Sequence, residues 1–219
     1  PAPTPPILLM PVPARDVGCA TSPSRNVSQG SSEMLPLQLD TNRLSFVIVG
    51  RGPAAARKVK TLQAAGARDL TVFSDHPGDT LFSAAGNDLV LHLPSNAELA
   101  SAHLVISAGL DEAEERELAE RCRALRVLVN IEDRAELCDI HLPAVLRRGD
   151  LTLAISTNGR APGLAGMLRR HLERLFGPEW EGRIDEVARA RAGWRDGGAD
   201  MASVKQRLNR FVEQRRWLT

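Results

Sequence analysis

The sequence predicts an α/β fold: a parallel sheet covered by helices, then a short hairpin region, then a helical C-terminal part. Three observations predict it. Short β-rich apolar runs alternate with helix-spaced segments from residue 44 to residue 130, the mark of βαβ units. A glycine turn, Gly50-Arg51-Gly52-Pro53-Ala54-Ala55, stands between the first run and the first helix. Residues 178–219 carry both signs of charge at helical spacing.

Taken in order, residues 1–33 read as a disordered tail. Half of the 14 prolines fall there, among Ser, Thr and Gly, and such a segment buries too little apolar surface to offset its ordering entropy. Met34, followed by Leu35-Pro36-Leu37, reads as the start of the folded part. Residues 44–49 form a first strand. Residues 54–65 form a helix with Ala55, Val59 and Leu62 on one side, stopped by Gly66. Residues 70–73, 89–93, 104–107 and 127–130 are further strand runs, and residues 111–125 are a charged helix with Leu118, Cys122 and Leu125 on one side. Residues 142–146 and 151–156 are two strands joined by Arg147-Arg148-Gly149-Asp150, where Gly149 supplies the positive φ of a tight connection. Asn158-Gly159 and Pro162-Gly163 mark a loop, and residues 164–176 an amphipathic helix. Gly193, Gly197 and Gly198 are expected to break the remainder into two helices.

Composition excludes several classes. Lys plus Arg number 28 against 27 Asp plus Glu, a net charge of +1, whereas nucleic-acid binders carry a basic excess. Aromatics are 4% and Tyr is absent, which removes a base-stacking platform. No apolar run approaches the roughly 20 residues that cross a bilayer. Cys19, Cys122 and Cys138 are odd in number and lack C-x-x-C spacing, so they read as idle thiols of a reducing cytoplasm. His76, His92, His103, His141 and His171 show no ligand spacing, so no metal site is assigned and His141 reads as packing or surface.

The glycine turn carries the chemistry. G-x-G-x-x-A between a strand and a helix is the pattern of a dinucleotide site. Gly50 is expected to permit the tight turn and Gly52 to let a diphosphate approach the backbone, while Ala55 keeps the helix close to the strand. Pro53 and Ala54 complete the loop onto the helix N-terminus, whose N–H groups attract phosphate. Asp75, just past the second strand, stands where a carboxylate holds the ribose hydroxyls of NAD and repels the extra phosphate of NADP. The alternatives are a bare βα turn and a solvated Asp75.

With this turn in view, the chain resembles the precorrin-2 dehydrogenase part of siroheme synthases, a family in which some members double as ferrochelatases. The resemblance rests on Leu35-Pro36-Leu37, Val47-Ile48-Val49-Gly50-Arg51-Gly52, Arg57-Lys58, Ala65-Gly66-Ala67, Val129-Asn130 with Asp133, Leu137-Cys138-Asp139 and Leu142-Pro143-Ala144. Its most specific part is the block at 148–165, which includes Ser156-Thr157-Asn158-Gly159-Arg160-Ala161-Pro162 and has no generic role in nucleotide-binding folds. The match covers about 35–176, and nothing resembles the methyltransferase half, which implies the stand-alone type.

The resemblance implies a Rossmann-like NAD domain at 34–140, a dimerisation and substrate region at 141–176 and a helical C-terminal domain at 177–219. It implies NAD⁺-dependent oxidation of precorrin-2 to sirohydrochlorin in the cytoplasm by a homodimer, with Fe²⁺ insertion as an activity of some members. Leu110 occupies the position of the family's catalytic Asp, and the acidic residue falls one place later, at Asp111. Asp111 is therefore the candidate base, with helix capping as its other reading. A non-catalytic relative that binds dinucleotide or tetrapyrrole is the alternative that Leu110 supports. Arg51 replaces the family's middle glycine, Ala161 its Ser and Gly166 its Arg. The polyacid substrate calls for basic and polar partners. Arg160, Ser156 and Thr157 of the specific block are the candidates, with Asn130 and Asp133 after a strand's carboxyl end.

Overall fold

The computed structural model describes residues 34–218, so the expected tail at 1–33 lies outside the described residues. Five parallel strands form one sheet in the order β3-β2-β1-β4-β5. They are β1 (Ser45–Gly50), β2 (Asp69–Phe73), β3 (Leu89–Val90), β4 (Leu104–Ala108) and β5 (Leu128–Ile131). The strand order reverses between β1 and β4, whose register pairs Val49 with Ser107 and Gly50 with Ala108. In open parallel sheets, ligands sit beyond the carboxyl ends of such a pair.

Both faces of the sheet are covered, so its central strands read as nearly unbroken apolar runs rather than alternating ones. Phe46 and Ile48 point to one side, into a cluster with Ala55 and Val59 of α1 (Gly52–Ala64) and Leu81 of α2 (Gly78–Ala85). Val47 and Val49 point to the other. There they meet Leu99 of α3 (Asn96–Ala100) and Leu118 and Cys122 of α4 (Glu112–Ala124). Burial pushes the Cys122 thiol up to about 11, so it packs as a small apolar group.

Two expectations need correction, and two helices are added. The run at 89–93 yields only Leu89–Val90 as strand, because β3 is an edge that pairs β2 through two residues. Leu91 then leaves the sheet and is 64% exposed; short edges of this kind resist pairing with other chains. The helices α2 and α3 are additional to those read from the sequence. The signal for α3 is Ser95 with Glu98 three places on, a reciprocal capping box. Gly193 breaks nothing: it lies within α6 (Trp180–Asp196), which ends at Gly197. A single interior glycine costs a helix only about 1 kcal/mol.

After β5 the chain forms an antiparallel hairpin of β6 (Ala144–Arg148) and β7 (Leu151–Ile155). Gly149 takes φ +54 in its turn, as expected. The helix α5 (Pro162–Leu175) follows, and then α6 and α7 (Met201–Gln214). The last helices join through aromatic rings, with Trp180 and Trp217 centred 6.3 Å apart and the Arg183 guanidinium over both.

Candidate functional site

The glycine turn is built by close approach of two backbones. A Cβ on Gly50 would stand 1.9 Å from the Ala108 carbonyl oxygen, and the Arg51 N–H donates to that same oxygen at 3.1 Å. Gly50 therefore serves the contact between β1 and β4. The left-handed conformation belongs to Gly52, at φ +60, where a Cβ would meet nothing within 4 Å. Gly109, at φ +78, completes the cradle, since a Cβ there would come within 2.5 Å of the Arg51 carbonyl oxygen. Ala55 is fully buried beneath the turn. Pro53 occupies the first turn of α1, which has no side-chain cap and no acidic residue. The N-terminus of α1, with the Ala54 backbone, thus offers its positive end to an anion beside open space at Gly52. These residues fit a dinucleotide diphosphate.

Asp75 lies one residue beyond Ser74 at the carboxyl end of β2, and its carboxylate is already engaged. Arg51 donates from Nε to Oδ1 and from Nη2 to Oδ2, both at 2.7 Å. The same guanidinium donates to both oxygens of Glu114 at 2.7 Å. Arg51 thereby straps the end of β2 to the head of α4. Its hydrogen bonds hold the Asp75 carboxyl well below the usual carboxylate range and also lower Glu114. Lowered folded values mean that the strap stabilises the fold above the ordinary carboxylate range and weakens as pH falls through the lowered values.

Asp111 is the N-cap of α4. Its Oδ1 accepts from the Glu114 N–H at 2.9 Å, while Glu114 Oε2 accepts from the Asp111 N–H at 3.0 Å. This is the capping role named above as the second reading of Asp111. Leu110 is partly buried and packs on the cluster that contains Val129 and Ile131.

A cavity of about 580 Å³ opens where β5 ends and the hairpin begins. Asn130, Asp133, Ser156 and Thr157 all line it, so the fold unites four of the five residues expected to touch substrate. Arg160 is not in the lining. It sits in the adjoining loop, exposed, with its N–H on the Thr157 carbonyl. Asn130 is 7% exposed and donates from Nδ2 to the Ile140 carbonyl at 2.9 Å. Ser156 Oγ and Thr157 Oγ1 accept from the N–H groups of Asn158 and Ala161, which shapes the loop. Lys58 and His141 also line the cavity, although sequence reasoning gave neither a site role. Lys58 belongs to the Arg57-Lys58 motif, so the sequence does carry a signal for it. His141 was read as packing or surface, and no spacing marked it. Among the described residues no group of three metal-ligating side chains occurs. No helix among them is long and apolar enough to cross a membrane.

Comparison with known proteins supplies the lineage. Residues 37–144 match a family model described as "Putative NAD(P)-binding", and residues 148–175 match the model of the sirohaem biosynthesis protein central region. The siroheme synthase of Methylobacillus flagellatus is 34% identical over 186 residues, covering 84% of this chain and 38% of that protein. Siroheme synthase 1 of Serratia proteamaculans is 36% identical over 187 residues, covering 84% of this chain and 37% of that protein. The chain belongs to the siroheme synthase family.

The chain spans a little over a third of the length of these siroheme synthase relatives. A solved structure, "SirC, precorrin-2 dehydrogenase", shares the fold with TM-score 0.63 and 22% identity, covering 85% of this chain and 93% of that one. The glycine turn falls in the segment matched by the NAD(P)-binding model. Ser156, Thr157 and Arg160 fall in the segment matched by the siroheme central model.

Proposed function

We propose that the protein oxidises precorrin-2 to sirohydrochlorin with NAD⁺, as a cytoplasmic homodimer. The observation that carries this reading is the pairing, at one end of the sheet, of an uncapped helix behind an open glycine turn with a polar cavity beyond β5. Bound NAD⁺ would supply a hydride acceptor. The Ala54 amide at the head of α1 would receive its diphosphate beside Gly52, whose own N–H donates to the Pro77 carbonyl at 3.2 Å, and Asp75 its ribose hydroxyls once Arg51 yields. Asn130, Ser156, Thr157 and Asp133 would orient the macrocycle, and Arg160 would meet a carboxylate at the rim.

The test is anaerobic incubation of the purified protein with precorrin-2 and either dinucleotide. Sirohydrochlorin absorbance is expected to grow with NAD⁺ at least tenfold faster than with NADP⁺. Adding Fe²⁺ afterwards reads chelation directly. One observation favours a second reading, a relative that binds without turnover: Leu110 brings no acid–base group to the head of α4, and Asp111 is held in the cap. Tight dinucleotide binding with no product would establish that reading instead.

The dimer rests on α5. Leu164, Met167, Leu168 and Leu175 are between 42% and 60% exposed and form an apolar stripe beside the hairpin, the kind of surface that marks an interaction site. Sedimentation at micromolar concentration is expected to give a dimer, and Met167→Glu with Leu168→Glu to give a monomer. A wild-type monomer would refute the assignment.

A further inference from the structure

Six titratable side chains line the cavity beyond β5, and four are already engaged. Lys58 pairs with Glu132 at 2.9 Å, and Arg134 with Glu112 at 3.2 Å and Glu115 at 3.4 Å. The Cys138 Sγ accepts from the Ile131 N–H and lies 3.2 Å from the Ile131 and Arg134 carbonyls. The side chains of Asp133 and His141 alone form no hydrogen bond or ion pair among the described residues. Asp133 is exposed, at φ +60. His141 is half-buried, and its Nδ1 is wholly enclosed without a partner. An unsatisfied buried nitrogen costs about 1–3 kcal/mol, and such atoms in native proteins mark a missing partner or a chemical role.

The imidazole is also positioned. Asn130 holds the carbonyl of Ile140, the residue before it. Gly159, at φ +75, passes along the ring, where a Cβ would lie 3.5 Å from Cε1 and 3.9 Å from Nδ1. With Leu110 apolar and Asp111 held in its cap, the reaction needs a group to receive a proton.

We propose that His141 is the proton acceptor of the dehydrogenation; the inference rests on the function proposed above. A C–H bond of the saturated macrocycle position breaks, and its electron pair leaves as hydride for the oxidised nicotinamide. An N–H bond of the adjoining pyrrole breaks, and its electrons complete the new double bond. That proton bonds to the imidazole and passes to solvent. The tetrapyrrole loses two electrons and the dinucleotide gains them. Charge favours His141 over Asp133 in this role. The imidazolium so formed is stabilised by the carboxylates of a polyacid ring, which would repel an ionised aspartate.

The test begins with wild type and His141→Asn titrated with sirohydrochlorin in the absence of dinucleotide. Equal affinities within about twofold are expected. At saturating NAD⁺ and precorrin-2, the single-turnover rate of His141→Asn is expected to fall about 100-fold, the scale of a lost general base. The acid limb of its pH profile should vanish. In His141→Ala, added imidazole should restore part of the rate, which a purely structural role would not allow, and His141→Gln provides a further folded variant. A rate within threefold of wild type overturns the proposal, as does a loss that follows weakened tetrapyrrole binding without imidazole rescue. A wild type that fails to turn over overturns the function itself, and that failure is seen before any variant is made.

Discussion

Gly50→Ala is expected to destabilise the protein by about 3–5 kcal/mol, more than an ordinary overpacked site costs. The added Cβ would stand 1.9 Å from the Ala108 carbonyl oxygen and 3.0 Å from its carbon. The obstacle is backbone, not the end of a mobile side chain, so relief requires β1 and β4 to part at the centre of the sheet. Thermal unfolding should show a fall in Tm of about 10 °C or more. Gly52→Ala is the contrast. Its Cβ meets open space but must adopt φ +60, and about 1 kcal/mol is expected. Equal stability of Gly50→Ala and wild type would show that the two strands are not held this close.

Asp75→Ala is expected to weaken NAD⁺ binding about tenfold, the scale of a hydrogen bond to a charged group. In the proposed binding mode the effect is moderated, because Asp75 would first have to exchange Arg51 for the ribose hydroxyls. Arg51→Gly should therefore act in the opposite direction and tighten binding several-fold, since the carboxylate then keeps only its 3.1 Å contact with His76 Nδ1. Calorimetric titration of both variants separates this account from one in which Arg51 grips the diphosphate, which predicts weaker binding in both.

Much of this was legible in the sequence because it is local. The βαβ alternation and the glycine turn depend on apolar period and on residues a few places apart. Asp111 was readable both as a base and as a cap, and the Glu114 contacts support the second. The short helix at Asn96–Ala100 carried a readable capping box, whereas the end of β3 after Val90 had no local mark. His141 could not be singled out, because its enclosed, unpartnered Nδ1 depends on what Asn130, Ile140 and Gly159 leave around it.

The sequence by itself determined the sheet-and-helix order, the glycine turn and the family, since strand and helix periods and a strand–turn–helix motif are written in neighbouring residues. Only the tertiary structure decided that Arg51 spans Asp75 and Glu114, residues 24 and 63 places away, and that His141 lines the same cavity as Asn130 and Ser156. The reason is physical. Hydrogen bonds and buried, unpartnered atoms arise from packing distant segments together, and no local pattern encodes which of them meet.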